Sequence, residues 1–325
     1  MHCDPIIDKH GRKVDYLRIS VTDLCDLRCI YCMPPDGVRR LPHDKILRFE
    51  EIRRVASVAA SLGVTTLRLT GGEPLVRRGI VDLVDMLSQV EGVRNVAMTT
   101  NGTRLAGLAS ELRSAGLTRV NISLDTLDAD RFEEITRGGS LADVLEGLEA
   151  ALGTGFDQVK INVVAMKGIN DTEFVDLALM ARRYPVDVRF IEYMPAGRDV
   201  PVEPGRFVPV AAIRSELERV VDLQPVEEKR GAGPAALFSI DNGLGCIGFI
   251  SSVSEPFCRR CNRLRLSADG RLIACLFDAG QIDLRTAIRG DATDDQIAEM
   301  FRQVANMKPL VHSEKGAAFV RELGG

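Results

Sequence analysis

Short β-branched segments alternate with amphipathic helical segments from Val14 to about Met194, and this alternation limits the fold more than any other feature. It is typical of a parallel sheet whose strands are joined by crossover helices. Because a closed barrel of this kind needs eight strand-helix units, the six units found here predict an α/β fold with an incomplete (β/α)6 TIM-type barrel. The predicted strands are residues 16–20, 65–69, 95–99, 119–124, 158–164 and 187–192, and the predicted helices include residues 50–62, 80–90, 105–115 and 172–183.

The alternation ends near Pro195, where a stretch rich in Pro and Gly begins. We therefore predict two units, a barrel over residues 1–200 and an α+β extension over residues 201–325. In the extension, residues 263–267 and 271–275 flank the turn Ala-Asp-Gly. This predicts a β-hairpin, because Asp and Gly tolerate the positive φ of tight turns. Residues 294–307 predict a helix. We expect the extension, with its hairpin, to cap the barrel mouth.

Polar residues occupy every second position in several of the predicted barrel strands. Because side chains alternate between the two faces of a strand, one face packs under the helices and the polar face lines the interior. Cations buried there would be too costly without an anionic partner, and a polyphosphate fits because guanidinium groups bind phosphate oxygens in pairs. Ion pairs with barrel acids such as Asp125 or Glu192 are the alternative. The cations are Arg18, Arg68, Lys160 and Arg189 in the barrel, and Arg263 and Arg265 in the hairpin.

The net charge of -4 argues against a protein that binds nucleic acid through its overall charge. No stretch approaches the roughly 18 apolar residues that a membrane helix needs, and residues 1–13 are too polar for a signal peptide. We therefore expect a cytoplasmic protein with no nucleic-acid partner and no membrane partner. A non-enzymatic iron-sulfur or zinc protein that binds RNA stays open as an alternative. It would need exposed aromatic residues, and the chain has no Trp.

Six of the eight cysteines form two triplets, Cys25-x3-Cys29-x2-Cys32 and Cys258-x2-Cys261-x13-Cys275. In a reducing compartment, clustered cysteines indicate metal or redox chemistry rather than disulfides. Three thiolates can hold a 4Fe-4S cluster with one iron left open, whereas a conventional electron-transfer cluster takes four. A zinc site would want four ligands, and no His lies at ligand spacing from either triplet. We interpret Cys246 as a strand residue, with a role as fourth ligand as the alternative, and Cys3 as an isolated thiol.

Several motifs resemble those of the radical S-adenosylmethionine (SAM) superfamily. The first triplet resembles the cluster-binding signature, and Gly71-Gly72-Glu73-Pro74 resembles the motif that holds the methionyl amino group of SAM. Three further motifs are the run Phe-Cys-Arg-Arg-Cys-Asn-Arg-Leu-Arg-Leu, the segments that begin at Arg18 and Arg189, and the terminal Gly-Gly. They narrow the resemblance to the family of molybdenum cofactor biosynthesis protein A, whose members are GTP 3′,8-cyclases. The resemblance covers about residues 15–325.

This resemblance implies two 4Fe-4S clusters, SAM as cofactor and GTP as substrate. Cleavage of SAM at the first cluster would give a 5′-deoxyadenosyl radical, which would remove the 3′ hydrogen of GTP. The new carbon radical would then attack carbon 8 of guanine. The second cluster would bind the guanine base, and Gly324 and Gly325 would reach into the active site. SAM would contact Tyr31, Gly71, Gly72, Glu73, Ser123 and Met194, and GTP would contact Arg18, Arg68, Thr99, Lys160, Arg189, Arg263 and Arg265.

The resemblance also implies partners, namely an electron donor that the sequence does not identify and cyclic pyranopterin monophosphate synthase as the downstream enzyme. Members of the family often form homodimers, so a homodimer is a further expectation. The nearest rival is another twin-cluster radical SAM enzyme that acts on a peptide or a tetrapyrrole, and the arginines after Cys261 argue against it. Three features depart from the family pattern. Leu24 and Asp26 replace the usual Arg and Asn beside Cys25, and the tail lacks the Met-Ser that often precedes its glycines.

Overall fold

The computed structural model of the protein describes residues 4–37, 40–194, 204–227, 233–277 and 280–312. In that part of the chain a twelve-stranded sheet forms the framework, and helices cover it. None of the helices described has both the length and the apolar character that a bilayer crossing requires.

The predicted strand-helix alternation is confirmed, and the six predicted strands match the observed ones to within two residues at each end. The predicted helix at residues 105–115 starts later than expected, at Ala109, and two helices fill the connection between the fourth and fifth strands. The elements are β1 (Tyr16–Ser20), α1 (Phe49–Ser61), β2 (Thr66–Thr70), α2 (Ile80–Ser88), β3 (Asn95–Thr100), α3 (Ala109–Ser114), β4 (Leu117–Ser123), α4 (Ala129–Thr136), α5 (Leu141–Thr154), β5 (Gln158–Ala165), α6 (Phe174–Arg183) and β6 (Val186–Glu192).

The extension contains the predicted hairpin and the predicted terminal helix, together with further short strands. The two hairpin strands pair antiparallel, and Gly270 in their turn has a φ of 83°, which glycine adopts without strain. The elements are α7 (Val210–Leu217), β7 (Leu223–Pro225), β8 (Ala236–Ile240), β9 (Cys246–Ile250), β10 (Arg263–Leu266), β11 (Arg271–Ile273), β12 (Gln281–Asp283), α8 (Leu284–Arg289) and α9 (Asp294–Met307).

The extension continues the barrel sheet at both of its edges. Strand β10 pairs parallel with β1, and β9 pairs parallel with β6, so that eight parallel strands stand side by side. The described strands do not close into a ring, because β10 and β9 continue into the antiparallel strands β11 and β8. The incomplete barrel is therefore confirmed. The division into two units at residue 200 stays a prediction, since one sheet runs through both segments.

The position of the hairpin differs from the expected cap over the barrel mouth. Arg263, the first residue of β10, lies opposite Tyr16, the first residue of β1, in a parallel pair. Cys261 precedes β10 and therefore lies near the amino-terminal end of β1, whereas Cys25 follows β1 at its carboxyl end. The hairpin takes this position because the backbone N–H and C=O groups at the edge of β1 need hydrogen-bond partners, and β10 supplies them. The two triplets thus lie at opposite ends of the barrel strands.

The predicted apolar face packs under the helices. Leu17 and Ile19 of β1 and Leu67 and Leu69 of β2 are fully buried in the main core. The same core continues into the extension, where Leu264 of β10 is also fully buried. The extension is therefore held to the barrel by apolar packing as well as by backbone pairing.

We predict that Leu264→Ala lowers the free energy of unfolding by about 2 to 5 kcal/mol, because it removes buried methyl groups and leaves a cavity. Urea unfolding of the metal-free full-length protein measures this change. Leu244, which is 65% exposed, provides the control variant Leu244→Ala, which should change stability little. Equal effects of the two substitutions would contradict a shared core.

Candidate active site

The first cysteine triplet lies in the loop after β1, at the carboxyl ends of the barrel strands. This loop folds back on itself, because the backbone N–H groups of Cys32 and Met33 both donate to the carbonyl oxygen of Cys29, at 2.9 and 3.0 Å. The three thiols and all six predicted SAM residues line one cavity, whose walls include Cys25, Cys29, Cys32, Tyr31, Gly71, Gly72, Glu73, Ser123, Asp125 and Met194.

The glycine motif after β2 is pressed against the cysteine loop. The N–H of Gly72 donates to the carbonyl oxygen of Thr22 at 2.9 Å, and the N–H of Glu73 donates to that of Leu24 at 2.8 Å. A Cβ atom on Gly72 would lie 2.2 Å from the Leu24 carbonyl oxygen and 2.9 Å from the Cys25 nitrogen. Only glycine permits this approach, so the motif holds the loop that carries the first thiols.

Two buried carboxyl groups face the first cavity. Glu73 accepts hydrogen bonds from the Thr100 hydroxyl at 2.7 Å and from the Asn101 N–H at 2.6 Å. Burial nevertheless raises the pKa of Glu73 to about 7. Asp125 accepts from the Tyr31 hydroxyl at 2.7 Å, and burial raises its pKa to about 6. Both carboxyl groups therefore sit where a cationic group of a ligand would stabilise their charged form.

The two substituted positions beside Cys25 fit the local structure. The Asp26 carboxylate accepts from the Asn101 side-chain amide at 2.7 Å and from Nε of Arg104 at 2.9 Å. Leu24 is 40% exposed and uses its backbone to hold Glu73. Arg104 thus supplies a charge partner for the acid that this chain carries at position 26.

A second cavity collects the cations that the strand pattern predicted. Arg265, Arg18 and Arg68 lie side by side on β10, β1 and β2, and their row continues through Ala97 to Arg119 on β4. All are on the inner face. The cationic side chains that line this cavity are Arg18, Arg68, Arg119, Lys160, Arg189, Arg263 and Arg265.

The acids named as alternative partners are engaged elsewhere. Asp125 holds Tyr31 in the first cavity, and the Glu192 carboxylate accepts from the backbone N–H groups of Val210 at 3.0 Å and Val253 at 2.8 Å. Arg189 does pair with a barrel acid, since its Nη2 lies 3.2 Å from the Asp187 carboxylate. The ion-pair alternative therefore holds for Arg189, through an acid that sequence reasoning did not name.

Lys160 lies buried among other cations in this cavity. Burial, with Arg189 and Arg68 nearby, lowers the pKa of Lys160 to about 6. Buried polar atoms also lack a hydrogen-bond partner among the described residues, namely Nε of Arg189, Nε of Arg263 and Oδ1 of Asn121. Such atoms are costly inside a protein unless a ligand or water satisfies them. The cavity therefore suits an anionic, hydrogen-bonding ligand.

The second triplet also belongs to this cationic cavity, because Cys258, Cys261 and Cys275 all line it. Burial raises the pKa of the Cys261 thiol, but the nearby charges of Lys308 and Arg263 lower it further, so that the pKa lies below its ordinary value. In the first triplet, burial raises the pKa of Cys25 to about 12, and nearby acids add to the effect. The two triplets therefore differ in electrostatic surroundings, with a cationic environment around the second.

Both triplets fit iron-sulfur clusters. Each places three thiols on the wall of one cavity, and thiolate is the ligand that such clusters require. Among the described residues, no three Cys, His, Asp or Glu side chains lie close enough together to hold a single metal ion. Thiolates around a four-iron cluster each bind a different iron, so they need not converge on one point. Cys246 lies buried in β9, as predicted, and does not line either cavity.

The two cavities adjoin each other. Asn162, Ile191 and Met194 line both, so ligands in the two cavities would meet at these side chains. Thr99, predicted to bind GTP, lines the first cavity but accepts a hydrogen bond from Arg68 at 3.2 Å, which places it at the boundary. Cys3, Gly324 and Gly325 lie outside the described residues.

Sequence reasoning missed several residues of the cationic cavity. Arg119 lies on the same face of β4 as Asn121 and Ser123, because side chains two residues apart in a strand share a face. This alternation could have identified Arg119 from the sequence. Tyr16 accepts a hydrogen bond from Arg68, and its ring and that of Phe257 lie 5.7 and 5.2 Å from the Arg263 guanidinium carbon. Nothing in the local pattern marked these rings as part of a site.

Comparisons with known proteins agree with this architecture. Residues 19–181 match the radical SAM superfamily, and residues 186–314 match the family described as Molybdenum Cofactor Synthesis C. The chain is 47% identical over 306 residues to a GTP 3′,8-cyclase of Pelotomaculum thermopropionicum and 46% identical over 308 residues to one of Heliobacterium modesticaldum. Each alignment covers 94% of both chains. This chain belongs to the GTP 3′,8-cyclase family.

Membership of the GTP 3′,8-cyclase family confirms the resemblance drawn from the motifs and implies the two 4Fe-4S clusters and SAM. Among solved structures, Streptococcus suis SuiB bound to S-adenosylmethionine matches with a TM-score of 0.59 and 15% identity, over 90% of this chain and 69% of that one. At that identity the likeness shows the fold alone. It supports the radical SAM fold class of the incomplete barrel.

We predict that Gly72→Ala displaces the cysteine loop and impairs the first cluster, because the added methyl group overlaps the Leu24 carbonyl. Iron content after anaerobic reconstitution should fall toward that of one cluster. Gly107→Ala is the matched control, since a Cβ there meets nothing within 4 Å. Full iron in both variants would mean that the loop tolerates the methyl group.

Proposed function

We propose that this chain is a GTP 3′,8-cyclase that acts in the first step of molybdenum cofactor biosynthesis. The observation that carries the proposal is the cationic cavity, which adjoins the cavity of the first triplet and ends at the second. The names of the relatives support it, and so do the matches to the radical SAM superfamily and to Molybdenum Cofactor Synthesis C.

The first cavity would hold SAM beside the first cluster. When bound, the cluster supplies the electron for reductive cleavage of SAM, which is the source of the radical that starts the reaction. Gly72 keeps the cysteine loop close, and the buried Glu73 offers its carboxylate to the methionyl amino group. Tyr31, Gly71, Ser123 and Met194 complete the walls of this cavity, which keep water away from the reacting atoms.

The second cavity would hold GTP between the two clusters. The predicted cations Arg18, Arg68, Lys160, Arg263 and Arg265 would bind the triphosphate, with Arg119 as an addition. Arg189, already paired with Asp187, would contribute through a preformed ion pair. The ribose would then lie toward Asn162 and Met194, where the cavities meet, and the guanine base toward Cys258, Cys261 and Cys275. Thr99 would contact both ligands at the boundary.

Further parts of the proposal concern partners. Gly324 and Gly325 would enter the active site, an electron donor would reduce the first cluster, and cyclic pyranopterin monophosphate synthase would take the product. A homodimer remains part of the proposal. We also place the reaction in the cytoplasm, because a reducing compartment keeps clustered cysteines such as the two triplets available as metal ligands.

Anaerobic turnover tests the proposed function. The reconstituted protein should hold two 4Fe-4S clusters and, when reduced with SAM, convert GTP to a 3′,8-cyclised product with release of 5′-deoxyadenosine. ATP and a peptide serve as control substrates and should give no cyclised or modified product. The assignment would be refuted by an iron content equivalent to one cluster, or by formation of 5′-deoxyadenosine at a rate that does not depend on GTP.

The lowered pKa of Lys160 predicts a pH dependence of GTP binding. In the free protein the amine is mostly neutral above its pKa of about 6, and a bound phosphate stabilises the charged form and raises that pKa. Binding therefore takes up a proton, and affinity should rise as the pH falls from about 8 toward 6, by up to about tenfold per pH unit. Anaerobic calorimetry measures this.

Three variants test whether Lys160 is the source of this pH dependence and of the affinity for GTP. Lys160→Arg keeps a permanent charge and should lose the contribution of Lys160 to the pH dependence, leaving the titration of GTP itself. Lys160→Ala should weaken binding by about tenfold or more with both clusters retained. Arg78→Ala removes an exposed cation outside both cavities and should leave affinity unchanged. Unchanged affinity in Lys160→Ala would contradict the cationic-cavity assignment.

A further inference from the structure

A buried lysine lies behind the second triplet. Lys308 follows α9 directly and is 2% exposed. Its ammonium group donates to the Cys261 sulfur at 3.4 Å, to the carbonyl oxygen of Arg263 at 2.6 Å and to that of Ala274 at 3.2 Å. All three N–H groups are thus used, one on a cluster-binding sulfur and two on residues that flank the triplet.

The amino-terminal segment fixes this lysine in place. Nε2 of His10 lies 3.2 Å from the carbonyl oxygen of Lys308. Arg12 donates to the carbonyl oxygens of Pro309 at 2.9 Å and Cys258 at 2.5 Å, and Asp8 holds Arg12 at 2.6 Å. The segment therefore ties the backbone at Lys308 to the backbone at Cys258 and fixes the point from which the lysine side chain extends toward Cys261.

The charge of Lys308 needs an anionic partner. A buried ammonium group is stable only with compensating negative charge, and two carbonyl oxygens supply dipoles alone. The third acceptor is the Cys261 sulfur, which carries negative charge as a cluster ligand. Lys308 itself does not line the cationic cavity, and of its three acceptors the Cys261 sulfur is the one that would bind the cluster.

We propose that Lys308 is a positioning residue for the second cluster, whose N–H···S hydrogen bond holds the Cys261 sulfur and sets the reduction potential of that cluster. The inference rests on the two-cluster assignment of the proposed function. Reduction adds one negative charge to a cluster, and a nearby cation and hydrogen bonds to sulfur stabilise that added charge. Lys308 therefore raises the potential of the second cluster relative to the same cluster without it.

The test is a redox titration of the reconstituted full-length protein, followed by electron paramagnetic resonance. The signal that responds to SAM identifies the first cluster, and the signal that responds to GTP identifies the second. Lys308→Met removes the charge and the donors at similar side-chain length. Lys13→Met, at an exposed position of the amino-terminal segment, removes the same charge from the surface and is the matched control.

We expect Lys308→Met to shift the second cluster to a lower potential while the first stays unchanged, and Lys13→Met to shift neither. An unshifted second potential in fully loaded Lys308→Met would overturn the proposal. If wild-type protein holds only one cluster, the proposed function fails together with this inference. If it holds two and the second is insensitive to Lys308, only this inference fails.

A second measurement is needed if Lys308→Met does not retain the second cluster, because its potential could then not be titrated. Thermal unfolding of the metal-free protein then separates the two explanations. Metal-free stability close to that of wild type would support a role toward the cluster, because the substitution would then act only on the loaded protein. A large loss of metal-free stability would show that Lys308 only holds the fold together, and it would overturn the proposal.

Discussion

The cost of burying positive charge governs the interior of this protein. Arginines of β10, β1, β2 and β4 lie in one row on the inner face of the sheet, and Lys160 lies close by. Among the described residues, the Asp187 carboxylate pairs with Arg189, and the Glu192 carboxylate accepts from backbone N–H groups instead. An anion that enters the cavity would therefore lower the free-energy cost of these buried cations. A site built in this way selects for a highly charged ligand, because a neutral ligand would leave the penalty in place.

The ends of the barrel strands divide the chemistry between two different environments. At the carboxyl ends, thiols share a cavity with Glu73 and Asp125, and burial together with these acids disfavours thiolate in the absence of a cluster. At the amino ends, Lys308 and Arg263 favour thiolate at Cys261. The second triplet thus contains one thiol, Cys261, whose charged form is favoured before iron binds, whereas burial raises the pKa of Cys275 as it does those of Cys25 and Cys29. Separation along the strands leaves room for a substrate between the clusters.

Much of the barrel could be predicted from sequence because its signals are local. Strand positions could be predicted from β-branched runs. The inner face could be predicted because Arg18, Arg68 and Lys160 alternate with apolar residues along their strands. The attachment of β10 to β1 could not be predicted, since Tyr16 and Arg263 are far apart in the chain and periodicity says nothing about which edges meet. The same holds for Lys308, whose role depends on hydrogen bonds to Cys261 and Ala274. Gly72 was identified by its motif, but the reason for glycine, contact with Leu24, required the fold.

The pairing of β1 with β10 also bears on how the protein is made. A ribosome releases β1 among the first segments of the chain, yet the strand that covers its outer edge is synthesised only after the whole barrel has followed. During that interval the backbone edge of β1 is open to pairing with other nascent chains. Contacts between such distant segments also slow folding, because the loop must close before the contact stabilises anything. Production of the enzyme in active form should therefore depend on chaperone capacity as well as on iron supply.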